Sequence, residues 1–366
     1  MKSVTIGGAM VDSIAIIDDE RIERMSMRNA ESAFLLLEVG RKTEASEISQ
    51  HCGGGAVNAA VGMARLRFDV AAVIKLGQDA RAEAILRRLD GEGVSTRWVM
   101  RDARSATGAS VIISSHERDA AIFTFRGANT LLCTADLKPD MFAADVVYIS
   151  GLSNESADCF PDIIRLAKSQ KAMVATNPGI RQLTSRASSF RKALADIDVL
   201  SINRAEAAAL VPQLVGDHGE GGPVLECAAD ESAPALARRG LESGGYEMSL
   251  RRFVEAMTAR GVRHVVITNG MDGAYVGTAG EILHCPTLPT KVAGTAGAGD
   301  AFASTFVAWL ASSGKACEAL RAGIINAASV VGHADTQTGL LRGDELAQRL
   351  STIADKLPLT RWSLSD

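Results

Sequence analysis

Gly294-Thr295-Ala296-Gly297-Ala298-Gly299-Asp300 runs directly into Ala301-Phe302-Ala303-Ser304-Thr305-Phe306-Val307-Ala308-Trp309-Leu310. A loop of small residues feeds an apolar helical run, and one carboxylate stands at the junction. Only Gly or Ala lets the backbone pass close to a bulky anion, and Gly accepts the positive φ that such a loop needs. A helix starting near Gly299 turns free N–H groups and a positive dipole end toward the loop, which suits a phosphate. Asp300 would repel a resting phosphate. Beside an anion hole it could instead take the proton of a hydroxyl attacking that phosphate. A plain loop-to-helix junction with Asp300 as N-cap explains the residues too. A phosphate loop does not: Gly294 and Gly299 have its spacing, but Asp300-Ala301 replaces the required Lys-[Ser/Thr]. A dinucleotide fingerprint begins at Gly297 and Gly299 but fails at Phe302, where a third small residue belongs.

Outward from this stretch lie three more junctions of the same kind. His51-Cys52-Gly53-Gly54-Gly55-Ala56-Val57-Asn58 puts glycines ahead of a helix expected over Ala56–Leu66, with Asn58 in its first turn. It reads as a close-approach cleft or as a flexible hinge. Asn203-Arg204-Ala205-Glu206 opens a helix after a strand; Asn with Glu three residues on is close to a capping box. Thr268-Asn269-Gly270-Met271-Asp272-Gly273 leaves one strand and enters another over Ala274–Gly277, as a phosphate loop or a plain hairpin turn. Asp12 follows the first strand, either as an acceptor for polyol hydroxyls or as a solvated turn residue.

Strands are expected at Ser3–Ile6, Ile14–Ile17, Val70–Leu76, Asp145–Ile149, Ala172–Thr176, Val199–Ile202 and His264–Thr268, with helices between several of them. Ala80–Leu89 reads as a helix and Gly93-Val94 as the opening of a further strand, a parallel crossover. Such alternation predicts an α/β fold, a doubly wound, mostly parallel sheet with helices on both faces. Ligands bind at the carboxyl ends of such strands, and Asp12, Gly54, Asn203 and Gly270 all follow predicted strands. Phe34–Val39 and Glu44–Ser49 read as short extended runs, and Thr107–Ser114 with Ala120–Phe125 as a hairpin ending in Arg126-Gly127-Ala128-Asn129. Gln213–Glu247 differs in composition and reads as an insertion over about 213–248, a mobile excursion with a short helix at Ala233–Leu241.

The 366 residues, 47% hydrophobic and 22% charged, support one large domain or two small ones. A net charge of −4 argues against general nucleic-acid binding, and 4% aromatics against single-strand stacking platforms. The six Cys show no CxxC spacing, which points to reduced thiols rather than to a metal site or disulfides. No apolar run of about 20 residues predicts a membrane span. The apolar run at Val4–Ile6 is too short for a signal peptide, so the expected address is cytoplasmic.

The Gly294–Asp300 stretch resembles the C-terminal signature of the ribokinase-like (PfkB) carbohydrate kinase family, Asp-Thr-x-Gly-Ala-Gly-Asp. Gly54-Gly55 or Gly53-Gly54, with Asn58, Ala60 and Gly77, is similar to the family's N-terminal signature Gly-Gly-x-x-x-Asn, and Asn203/Glu206 to its Asn-x-x-Glu. The resemblance spans roughly Ser3–Leu350 as a single domain. It implies an ATP- and Mg²⁺-dependent kinase acting on a hydroxymethyl group of a small sugar or sugar derivative. An adenosine-type nucleoside kinase and a silent ligand sensor are the alternatives. In that reading Asp300 is the catalytic base and Gly297, Ala298 and Gly299 form the anion hole. Asp12, Gly54, Gly55 and Asn58 hold the acceptor, joined by Asn129 and by Arg126, which is otherwise a surface Arg. Glu206 organises Mg²⁺ through water. Asn203, Thr268, Gly270, Gly273 and Asn326 lie along the nucleotide. The resemblance also implies a β-sheet lid from segments near 13–18, 33–50 and 107–126, and we expect a homodimer burying Leu35–Leu37 there. Two departures stand out. Gly294 replaces the leading Asp, and Thr336–Leu341 lacks the usual Gly-Ala, so little activation by K⁺ is expected. Arg67 stands where a Gly usually ends the first helix.

Overall fold

Short apolar runs such as Ser3–Ile6 and Val146–Ile149 cannot hide both faces from water unless something covers each side. In the computed structural model, which describes residues 1–18, 23–26, 33–36, 40, 42–115, 120–227 and 233–364, they form the middle of a nine-stranded sheet. From edge to edge its strands are Thr360–Ser363, Glu281–Cys285, Ala274–Gly277, His264–Thr268, Val199–Asn203, Met173–Asn177, Val146–Ser150, Lys2–Ile6 and Asp69–Val73. The six from His264–Thr268 onward are parallel, and the other three continue antiparallel. Alternate residues feed two cores: Val147 and Ile149 point into one, Val146 and Tyr148 into the other. Helices Phe160–Ser169, Arg204–His218 and Leu250–Ala259 cover the first face. Gly55–Arg65, Ala80–Gly91, Ala298–Ser313 and Ala316–Val330 cover the second. The doubly wound reading of the sequence holds.

Lys2–Ile6 pairs with Asp69–Val73 on one side and Val146–Ser150 on the other. The chain therefore changes direction across the sheet at this strand, and a crevice opens at its carboxyl end, where open α/β sheets bind ligands. A second sheet of four strands, ordered Ala120–Phe125, Gly108–Ser115, Met10–Ile17 and Glu47–Gly53, stands beside that crevice.

The structure corrects several expectations. Asp12 lies inside Met10–Ile17 rather than in a turn, paired with His51 and Ser110. Among the described residues of the expected lid segments, Ala33–Leu36 pairs with Glu23–Ser26 and not with the four-stranded sheet; residues 37–39 lie outside those described. Gly93-Val94 opens no regular strand. Ser95 makes an isolated bridge to Ala71, and the parallel partner of Lys75–Leu76 is Met100–Arg101. Residue 213 falls within the Arg204–His218 helix, so no break occurs there. The stretch beyond it forms the short helix Ala235–Arg239 and the hairpin Leu241–Ser243/Tyr246–Met248. Leu214, Leu236, Leu241 and Met248 are buried in the main core, so the described part of this stretch packs as a layer rather than as a free excursion; residues 228–232 lie outside those described. Among the described residues no helix is long and apolar enough to cross a membrane.

Candidate active site

Three consecutive glycines let two parts of the chain close on one point. A Cβ on Gly53 would stand 2.2 Å from Asp12 Oδ2, and one on Gly55 would stand 2.7 Å from Ser150 Cβ and 3.4 Å from Asp300 Oδ1. Gly54 has φ 95° and backs onto the Gly8 carbonyl. Any side chain here would push carboxylates or strands apart. The helix Gly55–Arg65 then packs on Ala298–Ser313 where Gly62 faces Ser304. That contact brings Asn58 to Asp300: Asn58 Nδ2 donates to Asp300 Oδ2 at 2.8 Å.

The helix of the signature stretch begins at Ala298, after Gly297 in the left-handed region at φ 79°. A Cβ on Gly297 would clash with Thr336 at 2.6 Å, so glycine is required for conformation and for space. The first intrahelical bond is Ala301 N–H to the Gly297 carbonyl. The amides before it have no i−4 acceptor within the helix. Asp300 is third in this helix, part-buried at the foot of the crevice. Burial raises its pKa above the ordinary carboxylate range, the Asn58 amide lowers it, and the Asp12 charge raises it further.

Two cavities meet at Asp300, and a third adjoins the second of them. One of about 210 Å³ is lined by Gly8, Gly55, Arg126, Ser150, Asn177 and Asp300, among others. A second of about 210 Å³ is lined by Asn177, Ser201, Asn203, Glu206, Thr268, Gly297, Gly299 and Asp300. The third, about 440 Å³, shares Thr268 and Gly299 with the second and is walled largely by apolar groups including Leu288, Phe302, Ile324 and Val331. Asp300, Glu206 and Asn177 lie on both of the first two. The crevice is thus continuous from a polar pocket, past two carboxylates, to an apolar pocket.

The predicted residues fall into place unevenly. Gly55, Arg126 and Asn129 line the polar cavity. Asp12, Gly54 and Asn58 stand behind its wall instead. Asp12 is 6% exposed and accepts a hydrogen bond from Ser110 Oγ at 2.5 Å; burial raises its pKa, while Ser110 and His51 lower it. Asn129 spends its amide on the backbone of Ala9, accepting from its N–H at 3.0 Å and donating to its carbonyl at 2.8 Å. It therefore shapes the loop after the first strand. Arg126 donates to Ser153 Oγ at 2.8 Å, and burial and the nearby charge of Arg181 both lower its pKa.

Asn203 and Glu206 form the capping box, each side chain accepting from the other's N–H at 2.9 Å. Both also face the middle cavity, so cap and site coincide. Burial raises the Glu206 pKa, the Asn203 N–H lowers it, and Asp300 raises it again. Thr268, Gly270 and Gly273 line the apolar cavity, as expected of a nucleotide loop. Asn326 does not. It is fully buried, donates to Thr305 Oγ1 at 2.6 Å and accepts from the Leu341 N–H at 2.9 Å. Both ends of its amide are used, one on the Ala298–Ser313 helix and one on the loop before Gly343–Ile353, so Asn326 serves as a structural tie off the cavity wall.

Sequence reasoning missed Ser150, Ser153 and Asn177, at or just beyond the carboxyl ends of parallel strands, and Ser201, in the middle of Val199–Asn203. The strand-end rule applied to every parallel strand would have found the first three. It also missed Gln337 and Thr336, which hold Asn58; no local motif marks them.

With this geometry in hand, comparison with known proteins is direct. Residues 24–232 and 235–342 match the model of the pfkB family carbohydrate kinases. The chain belongs to that family and is an enzyme of its phosphotransferase class. It is 22% identical over 346 residues to the deoxyribokinase of Salmonella typhi, covering 92% of this chain and 98% of that one. Arabidopsis thaliana ribokinase complexed with ribose and ATP superposes with a TM-score of 0.69 at 19% identity, over 95% of this chain and 98% of that one. Adenosine kinase from Sinorhizobium meliloti superposes with a TM-score of 0.70 at 22% identity, over 95% of this chain and 98% of that one. These two likenesses show the ribokinase-like fold.

Proposed function

We propose that the protein transfers the γ-phosphoryl group of ATP to a hydroxymethyl group of a small sugar or sugar derivative, with Asp300 as general base. The observation that carries this reading is the place of Asp300, on the wall of both the polar and the middle cavity and in the first turn of the glycine-led helix. The acceptor hydroxyl gives its proton to the Asp300 carboxylate as its oxygen bonds to the γ-phosphorus. The bond from that phosphorus to the β,γ-bridging oxygen breaks, and ADP leaves. The Gly297–Gly299 amides lie where charge builds on the transferring group. The apolar cavity takes the adenine, and Thr268, Gly270 and Gly273 border the phosphates.

The donor set around the middle cavity fits Mg²⁺. Glu206 and the side chains of Asn203 and Asn177 offer hard oxygens, and this ion keeps most of its waters. The buried Tyr148 hydroxyl lies close enough to Asp300 and Glu206 for both to raise its pKa, beyond the larger effect of burial. When bound, the ion would neutralise phosphate charge. Glu206 would hold it through water while its other oxygen keeps the capping bond.

Among the described residues, the polar cavity has no aromatic side chain on its wall for a nucleobase to stack on, which favours a sugar over a nucleoside acceptor. A screen of sugars, sugar acids, sugar phosphates and nucleosides, read by ATP consumption, tests the assignment. Turnover confined to one sugar class is the expected result. ATP binding without turnover of any acceptor would support the silent sensor instead.

A homodimer through the four-stranded sheet belongs to the same reading, with a revised surface. Ile48, Val111, Phe123 and Phe125 are 73%, 46%, 58% and 52% exposed on these strands, beside Leu36 at 43%; the side chains of Leu35 and Leu37 lie outside those described. A monomeric mass by light scattering at micromolar concentration would refute it.

A further inference from the structure

Asn58 is 3% exposed, and its amide is held at both ends. Its nitrogen donates to Asp300, and its oxygen accepts from Gln337 Nε2 and from Thr336 Oγ1, each at 2.9 Å. Gln337 is as deeply buried, at 3%. Its Oε1 accepts from Arg88 Nε at 2.8 Å, and Arg88 also pairs with Glu92 at 3.0 Å. The backbone of Gln337 is pinned too: its N–H donates to Asp335 Oδ1 at 2.8 Å and its carbonyl accepts from Arg65 at 2.8 Å.

The chemistry of these groups allows one direction only. A guanidinium donates and never accepts. The Gln337 atom facing Arg88 must then be the oxygen, which leaves the nitrogen for Asn58. That nitrogen also only donates, so the Asn58 atom facing it must be the oxygen. The remaining NH₂ of Asn58 points at Asp300, which accepts as a carboxylate. Each link sets the orientation of the next, from the Ala80–Gly91 helix to the foot of the crevice.

We propose that Gln337 is a positioning residue for Asp300: the chain Arg88–Gln337–Asn58 locks the Asn58 amide with its NH₂ toward the base and so holds the carboxylate aimed at the acceptor hydroxyl. This rests on the reading of Asp300 as base. Without the Gln337 donor, the Asn58 oxygen keeps only the Thr336 hydroxyl, so the amide is held less firmly and the carboxylate it grips is less well aimed.

The test is a double-mutant cycle. Gln337→Met keeps the length and removes the donor; Gln337→Glu keeps the partner for Arg88 and removes the donor to Asn58. Each is expected to lower kcat roughly tenfold to hundredfold, the worth of one charge-assisted hydrogen bond, while KM for ATP stays near wild type and Tm falls only by the cost of the stranded buried partners. In an Asp300→Asn background Gln337→Met is expected to lower kcat no further, because it acts through that carboxylate. From the far end, Arg88→Met should lower kcat and Arg88→Lys, which still donates, should restore most of it. These two variants keep the proposal testable if a Gln337 variant fails to fold. Retained kcat in a folded Gln337→Met enzyme, or an equal further loss in the Asp300→Asn background, would overturn the proposal. If Asp300→Asn is itself active, the reading of the base fails and the positioning role falls with it.

Discussion

The two ends of the crevice are built on different plans. The polar cavity, about 210 Å³, draws side chains from the ends of several strands, and most of their polar atoms already have protein partners. The apolar cavity, about 440 Å³, is made mostly of loop backbone and aliphatic groups. A hydrophobic wall recognises a flat base by shape and burial and tolerates small changes. A wall of held hydrogen-bonding groups recognises hydroxyls by position, and an unfilled partner there is costly. Acceptor identity and the chemical step should therefore be sensitive to single polar substitutions, and nucleotide binding much less so.

The largest expected effect is at the meeting point. Asp300→Asn should lower kcat by roughly a hundredfold or more, the usual worth of a positioned general base. ATP affinity should hold or tighten slightly, since a negative charge beside the phosphates is gone. An Asn here can still offer its amide oxygen to the Asn58 Nδ2 donor, so Tm should hold. Activity persisting in the folded variant would place the base elsewhere. Next is Arg126 on the polar side. If the acceptor carries a carboxylate or phosphate, Arg126→Ala should raise its KM roughly tenfold or more through loss of a charge-assisted contact. An unchanged KM would leave Arg126 as a support for Ser153.

Asn326→Ala probes the apolar side. It strands the Leu341 N–H and the Thr305 hydroxyl, so it should cost roughly 1–3 kcal/mol of stability. KM for ATP should not move, as Asn326 is off the cavity wall; a rise in KM at unchanged Tm would return it to the nucleotide site. The smallest expected effect is that of K⁺. Gly294 offers no carboxylate, and exchanging Na⁺ for K⁺ at fixed ionic strength should change the rate little. A several-fold gain would show that the loop around Asp335 binds the ion by other groups.

Much of this was legible in the chain because the decisive constraints are local. Gly297 needs a left-handed φ, Asn203 and Glu206 cap one helix, and apolar runs mark the parallel strands; each needs only its neighbours in sequence. Asn177, Ser150 and Gln337 carry no such mark. They reach the site through sheet order and through a loop that returns after the last long helix pair. Asn326 was misread for the same reason, because its partners Thr305 and Leu341 lie on either side of it at long range. Asp12 was placed at the site's edge but not inside a strand, because Gly7-Gly8 reads as a turn that ends the structure locally, whereas a strand of the second sheet begins at Met10.

The central claim is that the acceptor hydroxyl meets Asp300 while the γ-phosphate rests on the amides at the start of the Ala298–Ser313 helix. A crystal structure with the acceptor found by the screen and a non-hydrolysable ATP analogue tests it most directly. The account predicts the reacting hydroxyl within hydrogen-bond reach of an Asp300 oxygen, about 2.6–3.2 Å, with the γ-phosphate beside Gly297–Gly299 and the adenine in the apolar cavity. A hydroxyl turned away from Asp300, or a nucleotide bound outside the cavity lined by Thr268 and Phe302, would contradict it.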